Sequence, residues 1–304
     1  QGLPSLPFTF PLNERTKAHL SVLFANLVFG ANFSVVKFVT PRIIAPFGLN
    51  VVRALVSMGL FWLLWVFRRP ARKLDREDIM RFIICGITGV TINQLLFIKG
   101  LSITYSTHAS LLMLCTPIMI TISSLILLKE RPSYIRILGL ALGISGAMIL
   151  IFSRDASGKG ENVILGDVLV ITNAISYSLY FILVKPLIAK YSPVQVIRWV
   201  FTFGGLLILP FGWSQFAAAP WGAFTGTDLL ALAFISMGAT FLAYLLNTYG
   251  LLHLQASATG AYMYLQPFFV ALIAWIFLHE PFGWSKVLAA ILIFLGVWLV
   301  NHRN

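Results

Sequence analysis

The chain is built largely from apolar runs that are each about as long as the hydrocarbon core of a membrane is thick. A transmembrane α-helix needs about 20 consecutive apolar residues, and runs close to that length recur throughout the sequence. Only 11% of the residues are charged, whereas soluble domains carry about 25%. We therefore predict an all-α integral membrane protein with ten transmembrane helices, at residues 18–36, 47–67, 80–98, 106–128, 134–152, 166–185, 195–213, 229–250, 257–278 and 284–301.

The sequence also contains an internal duplication. Residues 94–150 match residues 244–300 without a gap, and the match includes Gly100 and Gly250, Pro117 and Pro267, Glu130 and Glu280, and Gly146 and Gly296. Each copy holds five predicted spans, and because five is odd the second copy must cross the membrane in the opposite direction. We predict two inverted-topology five-helix repeats, 18–152 and 166–301, joined by the polar linker 153–165.

The basic residues are distributed unevenly over the predicted loops. With a cytoplasmic amino terminus, 15 lysines and arginines, among them Arg198, lie on the inner side and six on the outer side. This asymmetry is the positive-inside bias of membrane proteins. We therefore interpret the net charge of +12 as a topology signal and not as a nucleic-acid-binding surface. Both termini are predicted to be cytoplasmic.

Each repeat has a proline inside its fourth span and a glutamate at the end of that span. Pro117 and Pro267 each remove a backbone donor, which predicts either a packing kink or a hinge beside the substrate path. Glu130 and Glu280 follow thirteen residues later, just before the next helix, where the helix dipole favours a carboxylate. We interpret the glutamates as helix caps or ion-pair partners, with gating as the alternative.

Several short motifs carry a resemblance to a known family. They are the segment FGANF at residues 29–33, Arg53, and the segments Thr116-Pro117…Leu128-Lys129-Glu130 and Gln266-Pro267…Leu278-His279-Glu280. With the duplication, they make the chain resemble the EamA-type branch of the drug/metabolite transporter superfamily. The resemblance implies a ten-helix bundle around a central cavity, alternating access and a small-metabolite substrate, with amino-acid export common among relatives. The chain departs from the family pattern at Phe29, where tryptophan is usual. The position that matches Arg53 in the second copy is Val200.

Polar residues inside the spans are the candidates for substrate binding, since burying them in a membrane is costly. Arg53 is the one basic residue more than a turn from a predicted span end. It could bind a substrate carboxylate or phosphate through its planar guanidinium, or it could extend to the outer surface or bond to exposed carbonyls. The predicted substrate-binding residues are Asn26, Asn32, Asn50, Arg53, Gln94, Tyr177, Tyr180, Tyr244, Asn247, Tyr262 and Gln266.

The sequence lacks several groups that particular functions require, and their absence argues against those functions. All ten acidic residues lie in predicted loops or at span ends, which counts against a drug/proton antiporter driven by a carboxylate in the membrane. Neither His108, near an outer end, nor His253, in a short loop, replaces such a group. No motif for a metal, a cofactor or a catalytic nucleophile occurs, so we predict no cofactor, no metal site and no enzymatic activity.

The favoured hypothesis is a secondary transporter for a small zwitterionic or anionic metabolite, most simply an amino-acid exporter of a bacterial inner membrane. Its partners would be the small-molecule substrate and the lipid bilayer, with no nucleic acid, and it would act as a monomer or homodimer. An exporter of cationic aromatic compounds is an alternative supported by 25 Phe, 9 Tyr and 8 Trp residues. A sugar-phosphate carrier and a membrane enzyme acting on lipid are the others.

Overall fold

A computed structural model describes residues 13–67, 73–127, 134–152, 162–254, 262–266, 269–270 and 283–301, and these residues contain helices and no strand. The α-helices are α1 (Glu14–Val39), α2 (Pro46–Phe67), α3 (Arg76–Gly86), α4 (Asn93–Ile103), α5 (Ser106–Met113), α6 (Thr116–Leu127), α7 (Tyr134–Phe152), α8 (Val163–Lys190), α9 (Pro193–Ala217), α10 (Gly226–Ala233), α11 (Ala243–His253) and α12 (Trp284–Asn301). Two π-helical segments, π1 (Ile87–Ile92) and π2 (Phe234–Leu242), join α3 to α4 and α10 to α11. Short 3₁₀ turns lie at Trp221–Ala223 and Tyr262–Tyr264.

Six helical stretches are long and apolar enough to cross a membrane: Glu14–Val39, Pro46–Phe67, Arg76–Ile103, Val163–Lys190, Pro193–Ala217 and Gly226–Gly250. Shorter apolar helices lie at Ser106–Ile120, Ile137–Ile149 and Val287–Gly296. The prediction of an all-α membrane protein is therefore confirmed. Most of the predicted ninth span, 257–278, lies outside the described residues.

Several helices begin earlier than their hydropathy predicts, because polar side chains cap their first turns. Asn13 accepts a hydrogen bond from the Arg15 backbone N–H, and Asn162 accepts one from that of Leu165. Such capping satisfies backbone donors that have no partner within the helix. The first and sixth predicted spans consequently start four and three residues earlier, at Glu14 and Val163.

The two π segments occupy corresponding positions in the two halves, and the sequence analysis predicted neither. In each, a threonine hydroxyl reaches back five residues to a carbonyl, as Thr91 Oγ1 does to Gly86 (3.4 Å) and Thr240 Oγ1 to Ile235 (2.8 Å). A π-helical turn widens the backbone and is frequent at functional sites. Each segment ends two residues before a predicted substrate residue. That residue is Gln94 in α4 for π1 and Tyr244 in α11 for π2.

The predicted fourth span, 106–128, is not one continuous helix. It consists of α5 and α6, separated by a turn at Leu114 and Cys115. Pro117 is the second residue of α6, where its missing N–H leaves no intrahelical bond unmade. Pro117 therefore begins a helix in this structure and does not kink one from within. Its counterpart Pro267 lies outside the described residues.

The most extensive helix contacts pair α1 with α11, α2 with α9, α4 with α8, and α7 with α12. Helices α2 and α9 occupy corresponding positions in the two halves, and so do α7 and α12. Exchanging the two halves therefore leaves this set of pairs unchanged. The counterparts run antiparallel: Gly146 packs on Ile293, whereas Gly296 packs on Gly143. A two-fold axis perpendicular to the helices produces antiparallel counterparts, whereas an axis along the bundle would make them parallel.

Candidate functional site

Arg53 lies inside the bundle, two turns after the start of α2. Its side chain is 4% exposed, and its Nε donates a 2.9 Å hydrogen bond to Thr240 Oγ1 in π2. The Thr240 hydroxyl donates its own proton to the Ile235 carbonyl, so the π turn orients a lone pair of this hydroxyl toward the guanidinium. The Arg53 Nη1 atom has no hydrogen-bond partner among the described residues. In this structure the guanidinium faces the bundle interior and does not extend to the membrane surface.

Two buried amides lie next to this guanidinium. Asn50 precedes Arg53 by one helical turn and is completely buried, and Gln94 in α4 is 1% exposed. The Tyr244 hydroxyl of α11 is close to both the guanidinium and the Gln94 amide. Among the described residues the Asn50 amide has no hydrogen-bond partner, and the Gln94 amide has only the adjacent Tyr244 hydroxyl. We call Asn50, Arg53, Gln94, Thr240 and Tyr244 the central polar cluster.

Unpartnered buried polar groups are rare because each costs roughly 1–3 kcal/mol. The cluster concentrates several of them in one place, on three separate stretches of chain. A bound molecule with both acceptor and donor groups would satisfy the free N–H of Arg53 and both ends of the two amides. The arrangement is therefore that of a site prepared for a polar ligand.

Aromatic side chains form one wall of the cluster. Tyr177 and Tyr180 of α8 stack with their ring centroids 5.7 Å apart, and both lie near Tyr244. Phe29 and Phe201 contact the Tyr244 ring edge-on. The three tyrosines lie deep in the bundle but are only half-buried. Their accessible surface therefore faces an internal space beside the cluster.

Other predicted substrate residues lie apart from the cluster. Asn26 accepts a 2.5 Å hydrogen bond from the Gln266 amide and donates one to the Val22 carbonyl. The Tyr262 hydroxyl bonds His19 Nδ1 at 3.0 Å, near the start of α1. Tyr262 and Gln266 contact α1 at positions seven residues apart, or about 10 Å along its axis.

Asn32 and Asn247 occupy further positions along the bundle. Asn32 is 4% exposed and its Oδ1 has no partner among the described residues, whereas Asn247 is half-buried. The predicted cap or gate residues Glu130 and Glu280 lie outside the described residues. Nothing in the structure therefore relates these two glutamates to the central polar cluster.

The sequence analysis missed a buried acid–histidine pair. Asp167 is the fifth residue of α8, close to the helix end as predicted, but both Asp167 and His108 are 0% exposed. His108 Nδ1 lies 2.9 Å from Asp167 Oδ2, and the Thr104 hydroxyl donates to Asp167 Oδ1. The nearby Lys37 ammonium donates to the Thr104 carbonyl. The sequence analysis placed His108 near an outer span end, and the structure buries it completely in a pair with Asp167.

Metal chemistry finds no support in the described parts of the chain. In those parts, no three His, Cys, Asp or Glu side chains gather as metal ligands would. Cys85 and Cys115 are separate, buried thiols.

The duplicated apolar architecture agrees with what comparison with known proteins finds. The model of the EamA-like transporter family matches the chain twice, over residues 16–152 and 164–302. The chain belongs to this family. It is thus a member of the drug/metabolite transporter superfamily and an integral membrane protein with a small-molecule substrate.

Individual relatives are similar over most of the chain. An "Uncharacterized transporter" from Archaeoglobus fulgidus is 24% identical over 95% of this chain and 99% of its own length. A "Probable terminal-alkyne amino-acid exporter" from Streptantibioticus cattleyicolor is 28% identical over 78% of this chain and 76% of its own. A protein of known crystal structure superimposes with a TM-score of 0.62 at 16% identity, covering 93% of this chain and 96% of that one. The last similarity concerns the fold alone.

Proposed function

We propose that the protein is a secondary transporter, working as an exporter, for a small zwitterionic or anionic metabolite of the amino-acid type. The observation that carries the proposal is the buried Arg53 guanidinium with its unpartnered Nη1. A guanidinium binds a carboxylate through two parallel N–H donors. The relative named as an amino-acid exporter supports the same substrate class. No step in this function requires enzymatic chemistry.

The other members of the cluster would complete such a site. The amide oxygens of Asn50 and Gln94 would accept from an ammonium group, and their N–H groups would donate to the substrate carboxylate. The half-buried Tyr177 and Tyr180 would contact the substrate side chain. Asn26, Asn32, Asn247, Tyr262 and Gln266 would line the path on either side of this site.

We further propose that ten spans form two inverted repeats, 18–152 and 166–301, with 153–165 as the linker. The antiparallel packing of α2 on α9 and of α7 on α12 supports this arrangement, as does the double match of the family model. Alternating access would move these halves against each other, with Pro117 and Pro267 near the hinges and Glu130 and Glu280 as caps or gates. A single chain would suffice for transport, as a monomer or within a homodimer.

The orientation can be tested by accessibility. In a bacterial inner membrane, with both termini cytoplasmic, single cysteines placed in 68–78 should react with an impermeant reagent only from the cytoplasmic side. Cysteines in 153–165 should react only from outside. If both loops react from the same side, the inverted arrangement is wrong.

The substrate class can be tested with purified protein. Thermal-shift measurements should show stabilisation by certain amino acids and none by polyamines, and the stabilisation should disappear in Arg53→Ala. Stabilisation by cationic dyes alone would instead favour the alternative of a drug exporter. The tyrosine rings could bind a cationic dye, but the positive charge of Arg53 would repel it. Stabilisation by sugar phosphates would favour a sugar-phosphate carrier. Arg53 is the one cationic side chain in the central polar cluster that could bind the phosphate.

A further inference from the structure

Arg198 of α9 lies in an aromatic cage at the end of the bundle where α2 ends. The sequence analysis counted Arg198 with the basic residues of the cytoplasmic side, and its side chain is only 4% exposed. The guanidinium carbon lies 4.7 Å from the Trp62 ring centroid, 5.0 Å from that of Trp65 and 5.3 Å from that of Trp199. Three indole rings therefore surround one positive charge.

The cage contains N–H donors that have no hydrogen-bond acceptor among the described residues. Within the described residues, Arg198 Nε and Nη1 and the neighbouring Trp199 Nε1 are buried without a hydrogen-bond partner. The Trp62 indole differs, since it donates to Thr202 at 2.9 Å. A guanidinium and an indole N–H can only donate, so whatever satisfies these atoms must supply acceptor oxygens. The π faces balance part of the charge but leave the three N–H groups unbonded.

Two carboxylates at this end of the bundle are engaged elsewhere. Lys190 binds Asp75 at 2.7 Å and Asp78 at 2.5 Å, and the Tyr191 hydroxyl also donates to Asp78. Arg198 forms no ion pair with any described residue.

The position of the cage selects the kind of molecule. Trp62 and Trp65 lie in the last turns of α2, and Arg198 is the sixth residue of α9, so the cage lies near the ends of both helices. All three tryptophans are half-buried and are reachable from the lipid side. The residues that follow α2 include Arg68, Arg69, Arg72, Lys73 and Arg76, and such a basic segment attracts anionic lipids. Trp62 is nine residues, or about 13 Å, from Arg53 along α2.

We propose that Arg198 and Trp199 form a site for the phosphate of an anionic phospholipid headgroup, separate from the central polar cluster. The phosphate oxygens accept from Arg198 Nε and Nη1 and from Trp199 Nε1. The acyl chains extend along the lipid-facing surface beside Trp62 and Trp65. The site anchors the α2–α9 pair at the membrane surface.

The test titrates protein purified in neutral detergent with dioleoyl phosphatidylglycerol and measures the bound lipid by native mass spectrometry. Arg198→Gln should weaken binding about 10-fold, as expected for loss of a charge-assisted hydrogen-bond pair. Trp199→Phe keeps an aromatic ring but removes the donor, and should weaken binding about threefold. Arg81→Gln, an exposed charge in α3, and Trp213→Phe, an exposed indole on the same helix as Arg198, should bind as the wild type does.

Two further arms separate the sources of the ligand. Dioleoyl glycerol, which has no phosphate, should not bind in an Arg198-dependent way, and inorganic phosphate alone should give no Arg198-dependent thermal shift. Such a shift with inorganic phosphate would assign the cage to a free anion and overturn the lipid proposal. The proposal is also overturned if both Trp199→Phe and Arg198→Gln bind the lipid as the wild type does. If Arg198→Gln does not fold, Arg198→Lys takes its place in this comparison.

Discussion

The two halves of the protein contact each other at two crossings of a helix with a π segment. The two crossings have similar packing but different side chains. At the first crossing, α2 packs on π2, and Arg53 donates to Thr240. At the second, α9 packs on π1, and the counterpart positions hold Val200 and Val90, each 1% exposed. The duplication has kept the packing of a helix against a π segment while changing what fills it.

Smaller residues extend the same contrast. At the first crossing Ser57 Oγ donates to the Ser236 carbonyl at 3.3 Å. At the second, the counterparts are Gly204 and Gly86, and a Cβ placed at Gly204 would lie 2.5 Å from the Gly86 carbonyl oxygen. The second crossing is therefore a close backbone contact with a hydroxyl bond from Thr91 Oγ1 to the Gly204 carbonyl at 2.9 Å, whereas the first also holds a buried charge. In the proposed function, the first crossing contributes to the substrate site and the second only packs the halves together.

The largest expected effect is the loss of Arg53 compared with the loss of its counterpart. Arg53→Ala should reduce substrate exchange in proteoliposomes about 10- to 100-fold, since it removes a buried charged donor. Arg53→Lys should also be impaired because a point charge cannot copy the planar guanidinium. Val200→Ala should retain exchange. A well-folded Arg53→Ala protein with wild-type exchange would show that both crossings are merely structural.

The second prediction tests the close contact of α9 with π1. Gly204→Ala should destabilise the protein by about 1–3 kcal/mol, because its Cβ would overlap Gly86 and Val90. The neighbouring Gly205→Ala is the matched control, since its Cβ would lie 3.6 Å from Ala54 in ordinary contact. Unfolding in mixed detergent would measure both. Equal stability of the two variants would contradict the proposed difference between the crossings.

The third prediction concerns the hydrogen bond from Arg53 to Thr240. Thr240→Val keeps the shape but removes the acceptor for Arg53 Nε, and should weaken apparent substrate affinity about two- to tenfold. Thr248→Val is the control, because Thr248 donates to a carbonyl four residues earlier, as many helical threonines do, with no arginine bound to it. If the two variants have the same affinity, the π2 hydroxyl does not position Arg53.

The smallest expected effect is that of pH. The amides and hydroxyls of the central polar cluster do not titrate between about pH 5 and 8. Exchange of a non-titrating substrate, with the same pH on both sides, should therefore vary less than about twofold over that range. A steep dependence that vanished in Asp167→Asn or His108→Gln would assign proton coupling to the buried pair. If it vanished instead in Glu130→Gln or Glu280→Gln, it would assign coupling to a glutamate at a span end.

Hydropathy, the duplication and residue chemistry were enough to predict a helical membrane protein of this family and to single out Arg53, Asn50, Gln94 and Tyr244. These inferences succeed because the cost of burying each residue in lipid depends mainly on that residue's own side chain. Counting spans in each copy likewise needs no knowledge of contacts. The sequence alone determined the class of molecule and the residues from which a site could be built.

The tertiary structure decided which of those residues meet. The bond from Arg53 joins residues 187 positions apart, and the π segments that orient Thr240 leave no mark in hydropathy. The same limit applies to the aromatic cage around Arg198, which the sequence analysis only assigned to the cytoplasmic side, and to the His108–Asp167 pair. Burial and partnership depend on neighbours brought close by folding, so the sequence determined the membrane helices, and only their packing decided where the unsatisfied charges lie.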